Sequence, residues 1–165
     1  MSSTSFSYDL FVKCIEQIIE TSNFLLDGWT LNEKQNCDNG KYITKKSTVL
    51  LNSTIVTFEY HIAFHISYSV PVLGVNVWKA DGSLLTMEEV WNLSYCSNSL
   101  NMYETFTQMD HPVLCQPILM LHPCKTEEII REFMQKTKNP VVSWLSIVSH
   151  FVHLELLEEY IKCCF

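Results

Sequence analysis

Along residues 54–68, TIVTFEYHIAFHISY, apolar and polar positions alternate with a period of two. Phe58, Tyr60, Ile62, Phe64, Ile66 and Tyr68 fall on one parity; Thr57, Glu59, His61, Ala63, His65 and Ser67 fall on the other. Successive side chains of a strand point to opposite faces, so the run predicts a strand with one buried and one wet face. That is the pattern of an antiparallel sheet packed on one side, with Tyr68 ending the strand on its buried parity. Pro71 breaks the run and VLGVNVW predicts a second strand. The Asp81-Gly82 turn that follows either starts a return strand or leads into a helix.

Elsewhere the period is helical. Residues 8–22 carry Phe11, Cys14, Ile15, Ile18 and Ile19 at helical spacing, with Asp9 as N-cap and Gly28 closing the region. GWTL begins a short strand, and NEKQNCDNGKY after it is polar and turn-rich. TMEEVWNL predicts a short helix capped by Thr86, whereas residues 94–109 are weakly patterned and predict a loop region. PILML reads as a short buried strand or extended segment before a His-Pro corner. Beyond it Ile129, Ile130, Phe133 and Met134 predict a helix, with Thr126 as N-cap and Glu127 and Glu128 in its first turn. Pro140 opens a final helix through VVSWLSIVSHF, which LELLEEYIK extends or follows. The order of a helix, antiparallel strands and then helices predicts an α+β fold with helices on one face of the sheet. With no internal repeat and no second linker-bounded unit, residues 1–165 read as a single domain.

Composition narrows the function. Of 165 residues, 47% are apolar and 18% charged, as in a compact globular chain. The net charge of −7 and the lack of any basic run exclude nonspecific nucleic-acid binding, which needs a basic surface. The start MSSTSFSYDLF lacks the pattern of a signal peptide, and PVVSWLSIVSHFVHLELL is too polar to span a bilayer. A cytoplasmic protein with reduced thiols is the expectation.

Seven cysteines stand at 14, 37, 96, 115, 124, 163 and 164, an odd count with no C-x-x-C pair. Neither a zinc knuckle nor a thioredoxin-type site follows, and no metal or cofactor is assigned. His61 and His65 are four apart on a strand, so they do not form a helical metal pair. Cys14, Cys96, Cys115, Cys163 and Cys164 read as structural, since cysteine is among the residues most often buried. Cys124 has a different setting. It leaves a rigid His122-Pro123 corner at the approach to a helix amino terminus, where the helix dipole favours negative charge. From the residues alone Cys124 is either one more buried thiol or a nucleophile with His122 near it. A Cys-His hydrolase would further need an oriented base, for which Asp110 and His111 are loose candidates.

His122-Pro123-Cys124 ahead of a helix resembles the active-site motif of the autophagy E2-like conjugating enzymes. EYHIAFHISYSVPVL at 59–73 is similar to that family's central strand and its step through proline. DGSLLTMEEVW at 81–91, TQMDHPVLCQPILMLHPCKTEEI at 107–129 and WLSIV at 144–148 match further stretches in order and spacing. Within the group the chain is nearer to the branch that joins ubiquitin-like autophagy-related protein twelve to autophagy-related protein five. The lipidating branch shares the motif but typically carries a long acidic insertion that this chain lacks.

The resemblance implies an E2-like fold and a transferase. An E1-like enzyme, autophagy-related protein seven, would load the modifier as a thioester on Cys124, and a lysine of the acceptor would attack it. A thioester stores the energy of activation yet stays open to an amine. The family lacks the asparagine with which ubiquitin E2 enzymes steady the oxyanion. Backbone amides at the helix start, His122 and Tyr68 are the candidates to replace it. A monomer is implied. The alternatives are a non-catalytic E2-like adaptor and a small Cys-His hydrolase.

Overall fold

The computed structural model describes residues 5–93 and 101–165. Cys96 and residues 94–100 of the weakly patterned stretch therefore lie outside the described residues. Helix α1 spans Tyr8–Leu25. Its cap is Ser7, not Asp9: the Ser7 hydroxyl accepts the Leu10 amide at 3.2 Å, satisfying one of the free donors of the first turn. Phe11, Cys14, Ile15 and Ile18 face inward as their spacing predicts.

Six strands follow the order β1-β2-β3-β4-β6-β5, every neighbouring pair antiparallel. They are β1 (Thr30–Glu33), β2 (Lys41–Leu51), β3 (Thr54–His65), β4 (Val70–Lys79), β5 (Phe106–Asp110) and β6 (Pro117–Leu121). The α+β layering holds: α1 and the later helices cover one face of the sheet. The core there joins Phe58, Tyr60 and Ile62 of β3 to Phe11, Ile15 and Ile18 of α1.

The opposite face is drier than its sequence suggests. His61 and Ala63, on the parity expected to be wet, are buried. Ala63, Val70, Val72, Ile118 and Met120 form a second, smaller cluster. The loop between β5 and β6 extends this cover, placing the His111 ring 5.1 Å from that of His61. At the end of β3 the expectation fails in the other direction. The strand stops at His65, so Ile66 and Tyr68 lose the strand's parity and sit exposed in the turn before β4. Pro71 does not break β4 but stands inside it, opposite Phe64. On its other side β4 meets β6 only at Gly74 and Val75, so the missing amide of Pro71 costs no ladder bond there.

β2 had no clear sequence signal because polar residues occupy its core-facing parity. Lys45 lies opposite Tyr60 and Ser47 opposite Phe58. Lys45 pairs with Asp27 at 3.6 Å, and the pair is nearly buried. Tyr160 donates to the same carboxylate at 2.7 Å, and Ser22 bonds it as well. Residues 94–109 are not all loop either: a short helix α3 (Met102–Thr105) leads directly into β5.

Helix α2 (Met87–Leu93) starts as read, with a capping box. Thr86 Oγ1 accepts the Glu89 amide and Glu89 Oε1 accepts the Thr86 amide, both at 3.2 Å. Helix α4 spans Pro123–Phe133 and helix α5 spans Pro140–Val148, capped by Asn139. Two 3-10 segments follow, Ser149–Val152 and Glu158–Cys164, and the second buries Tyr160 and Cys164 against the core.

Candidate functional site

β6 is the arm that carries the His-Pro-Cys corner. It reaches the middle of the sheet because Gly74 has no side chain: a Cβ there would lie 2.8 Å from Ile118 Cδ1. Its last residue, Leu121, pairs with Phe106, and the His122 amide donates to the Thr105 carbonyl at 2.9 Å. The chain then turns directly into α4.

The helix begins earlier than the sequence suggests. Thr126 is not its cap but a buried residue of its first turns, and His122 is the cap. Pro123 takes the first helical position, where its fixed φ and missing amide carry no penalty. Cys124 is thus the second residue of the helix, inside its first turn. Glu127 and Glu128 fall beyond that turn, and Glu127 is bound to Arg131 at 2.8 Å. Pro123, Thr126 and Ile130 face the core at helical spacing, which turns Cys124, Lys125 and Glu128 outward. The thiol is exposed because its neighbours are buried.

His122 Nδ1 stands 2.8 Å from Cys124 Sγ and accepts the Cys124 amide at 3.4 Å. A nitrogen that accepts a backbone N–H carries no proton, so the thiol is the donor in the contact between Sγ and Nδ1. The first helix amides are therefore engaged. Cys124 N–H goes to the histidine ring, and Lys125 N–H goes to the His122 carbonyl at 3.2 Å. The expectation that these amides stand open for an oxyanion is not met in this state.

Tyr68 is placed differently from the pair. It lines a groove of ≈420 Å³ with Phe6, Ile130, Arg131 and Met134, further along α4 than the thiol. Its ring rests against His65 at 4.9 Å, and burial holds the His65 ring below the usual histidine range. The structure brings Cys124 and His122 together and sets Tyr68 alongside the following turns of the helix.

Asp110 and His111 do not join them. They sit where β5 meets Pro117, four residues along β6 from Leu121, roughly 13 Å at a strand's rise per residue. His111 is buried, its Nδ1 accepting the amides of Val113 at 3.0 Å and Leu114 at 3.1 Å. Burial, aided by nearby His61, pushes its pKa down to about 4. A base and orienter for a hydrolase are thus not assembled at the thiol.

Among the other described cysteines, Cys14 is buried in α1 and its thiol is pushed up to about 11 by burial. Cys164 is buried beside Ser143 Oγ at 3.3 Å, and half-buried Cys163 contacts Thr21 Oγ1 at 3.4 Å. Cys115 is exposed rather than buried, so exposure does not single out Cys124; the histidine contact does. Among the described residues no cluster of three or more metal-ligand side chains occurs, and no helix is long and apolar enough to cross a membrane.

Known proteins resemble the chain in sequence and in fold. The ubiquitin-like-conjugating enzyme ATG10 of Homo sapiens is 36% identical over 120 residues, covering 67% of this chain and 54% of that protein. The ATG10 of Dictyostelium discoideum is 32% identical over 127 residues, covering 66% and 55%. The chain spans about half the length of the curated relatives it matches. A crystal structure of the autophagic E2 Atg10 shares the fold, with a TM-score of 0.60 at 17% identity over 90% of this chain and 98% of that one. A family model described as autophagocytosis associated protein, active-site domain, matches residues 10–159, and the chain belongs to that family.

Proposed function

We propose that this chain is an E2-like conjugating transferase of autophagy. Cys124 receives a ubiquitin-like modifier as a thioester and passes it to a lysine of an acceptor protein. The observation that carries the reading is the exposed Cys124 thiol on the first turn of α4, with His122 Nδ1 at 2.8 Å. The names of the relatives support it. Following the sequence resemblance, the modifier is autophagy-related protein twelve, the donor is E1-like autophagy-related protein seven, and the acceptor is autophagy-related protein five. The continuous core supports a reading of residues 1–165 as one conjugating domain, acting as a monomer in the cytoplasm.

In the loading step, the Cys124 proton passes to His122 Nδ1 as sulfur attacks the carbonyl carbon of the incoming thioester. The tetrahedral intermediate then collapses and expels the thiolate of the activating enzyme. In the transfer step the acceptor's neutral amine attacks the same carbonyl carbon. The carbon–nitrogen bond forms, the carbon–sulfur bond breaks, and the proton shed by the amine returns to the Cys124 sulfur. His122 accepts the thiol proton in the first step and passes it to the departing thiolate, and in the second it relays the amine's proton to the Cys124 sulfur. Tyr68, in the groove beside α4, is a positioning residue for the attached chain. Oxyanion donors are then the helix amides once the bonds of the resting corner are exchanged.

The test is to incubate the protein with the E1-like enzyme, ATP and the modifier, then run gels with and without reductant. A reductant-sensitive adduct is expected, becoming a reductant-resistant ester with Cys124→Ser. Absence of any adduct overturns the reading, and cleavage of a preformed conjugate would mark a hydrolase instead.

A further inference from the structure

Away from α4, three free thiols gather where α1, the start of α5 and the last 3-10 segment pack on one another. Cys14, Gln17 and Thr21 share one face of α1 at helical spacing. Cys163 Sγ rests on Thr21 Oγ1 at 3.4 Å, at the outer end of that face. Asn139, the buried cap of α5, holds the inner end. Its Nδ2 donates to the Cys14 carbonyl at 3.1 Å and to Gln17 Oε1 at 2.9 Å. Cys164 turns inward to the same cap: its thiol donates to the Asn139 carbonyl at 3.8 Å and lies 3.3 Å from Ser143 Oγ. The Cys14 thiol ends on this turn as well, hydrogen-bonded by the Val141 backbone, whose amide the first turn of a helix leaves free. Two buried sulfurs, from residues 14 and 164, thus meet a single turn of α5. Cys164, ahead of Cys163, adds to the burial that pushes the Cys14 thiol up to about 11, which marks them as close neighbours.

We propose that Cys14 and Cys164 are an oxidation site, which hydrogen peroxide closes into a disulfide that ties the last 3-10 segment to α1. Cys163 lines a groove of ≈540 Å³ with Thr21, Lys138 and Lys162, which brings peroxide to the residue before Cys164. Cys164 itself keeps 7% of its surface open. Its sulfur attacks one peroxide oxygen, the oxygen–oxygen bond breaks, and a sulfenic acid forms as one water leaves. The Cys14 sulfur then attacks the sulfenic sulfur. The sulfur–sulfur bond forms, the sulfur–oxygen bond breaks, and the hydroxyl leaves as a second water with the Cys14 proton. Two thiols give up two electrons, and one peroxide takes them.

The other two pairings within the cluster are disfavoured. The Cys163 sulfur sits at Thr21, seven positions along α1 from Cys14, or roughly 10 Å of helix rise. A link between Cys163 and Cys164 would span neighbouring Cα atoms about 3.8 Å apart, short of the roughly 4.4–6.8 Å that a relaxed disulfide takes. The Cys14–Cys164 bond closes residues 14 to 164 into one loop and so removes much of the freedom of the unfolded chain. In a reducing compartment the pair rests as thiols, and an oxidising pulse makes the domain harder to unfold until small thiols release it. Cys124 lies on α4, outside this seam, so the tie does not consume the thiol of the proposed conjugating reaction.

The test treats the whole folded protein with hydrogen peroxide in slight excess, blocks the remaining thiols with N-ethylmaleimide, and digests it with trypsin without reductant. Mass spectrometry should find the peptide of Cys14 joined to the one that carries Cys163 and Cys164, and dithiothreitol should part them. The joined pair should persist with Cys163→Ser and vanish with Cys164→Ser. The thermal midpoint of the oxidised protein should rise by about 5 °C or more and return on reduction. Absence of the joined pair, its loss with Cys163→Ser, or a midpoint that does not rise overturns the proposal. Should Cys164→Ser fail to fold, the half-buried Cys163→Ser variant decides which sulfur is bonded.

Discussion

Two His-Pro corners flank the hairpin of β5 and β6, His111-Pro112-Val113 at one end and His122-Pro123-Cys124 at the other. Both use the same local device, in which the ring Nδ1 accepts the amide two residues on, at 3.0 Å for Val113 and 3.4 Å for Cys124. Their surroundings separate them. His111 and Val113 are buried under the second face of the sheet, and His111 bonds a second amide from Leu114. At the other corner the third residue is an exposed thiol, and its sulfur takes the place beside the ring that a second amide holds at His111. A histidine cap thus gathers a second amide when covered, and stands against a thiol when its neighbour is an exposed cysteine.

Substitutions at the two corners should part cleanly. The largest effect expected is from Cys124→Ala, which abolishes the adduct on gels while leaving the thermal midpoint essentially unchanged, since the side chain is exposed. A large drop in midpoint would break the contrast by making Cys124 a structural residue. Next, His122→Ala should slow thioester formation by about 100-fold, the usual worth of a positioned base. Its signature in single-turnover kinetics is a rate that recovers as pH rises, because solution then deprotonates the thiol. His111→Ala should do the reverse, costing roughly 2 kcal/mol in urea denaturation through two lost amide bonds and a void. The rate per folded molecule should stay as it was.

A subtler separation comes from pH. The folded pKa of His111 lies near 4 against an ordinary 6.5, so the folded state keeps this ring neutral while the unfolded chain protonates it. Its contribution is fully present above pH 6.5 and is lost as pH falls toward 4, on the order of 3 kcal/mol in all. Denaturation at pH 7 and pH 4.5 should show a loss that His111→Ala reduces and His122→Ala does not. The smallest effect is from Tyr68→Phe, at most about threefold on transfer, because Tyr68 is exposed and lines a groove that Cys124 does not. A hundredfold loss would move Tyr68 to the reacting carbonyl itself.

How far the sequence carried depended on whether each residue's partner was near it in the chain. The alternation of β3 and the spacing of Phe11, Ile15 and Ile18 announced their elements, since both are local periods. β2 was hidden because Lys45 lies on the core-facing parity and is made tolerable by Asp27, eighteen residues earlier. β5 was hidden because FTQMD buries only Phe106 well. The start of α4 was misplaced because histidine is outside the usual set of capping side chains, and Thr126 four residues later looked the better choice. Cys124 was open between two readings on its residues, and the family resemblance favours the nucleophile. The contact of its sulfur with Nδ1 needed three dimensions.

The Asp27 carboxylate carries a consequence for how the chain is made. It sits just beyond the first helix, yet its Tyr160 partner lies 133 residues further on. Until Tyr160 docks, the Asp27 carboxylate holds Lys45 and Ser22 but lacks the hydroxyl that completes its set of partners. Closing so long a loop is slow, and contacts of this span hold back the folding rate of the whole domain. The sheet and the first helix therefore gain this last hydrogen bond only from the far end of the described chain. The 3-10 segment around Tyr160 thus acts as a clasp that ties residues 158–164 to the exit of the first helix.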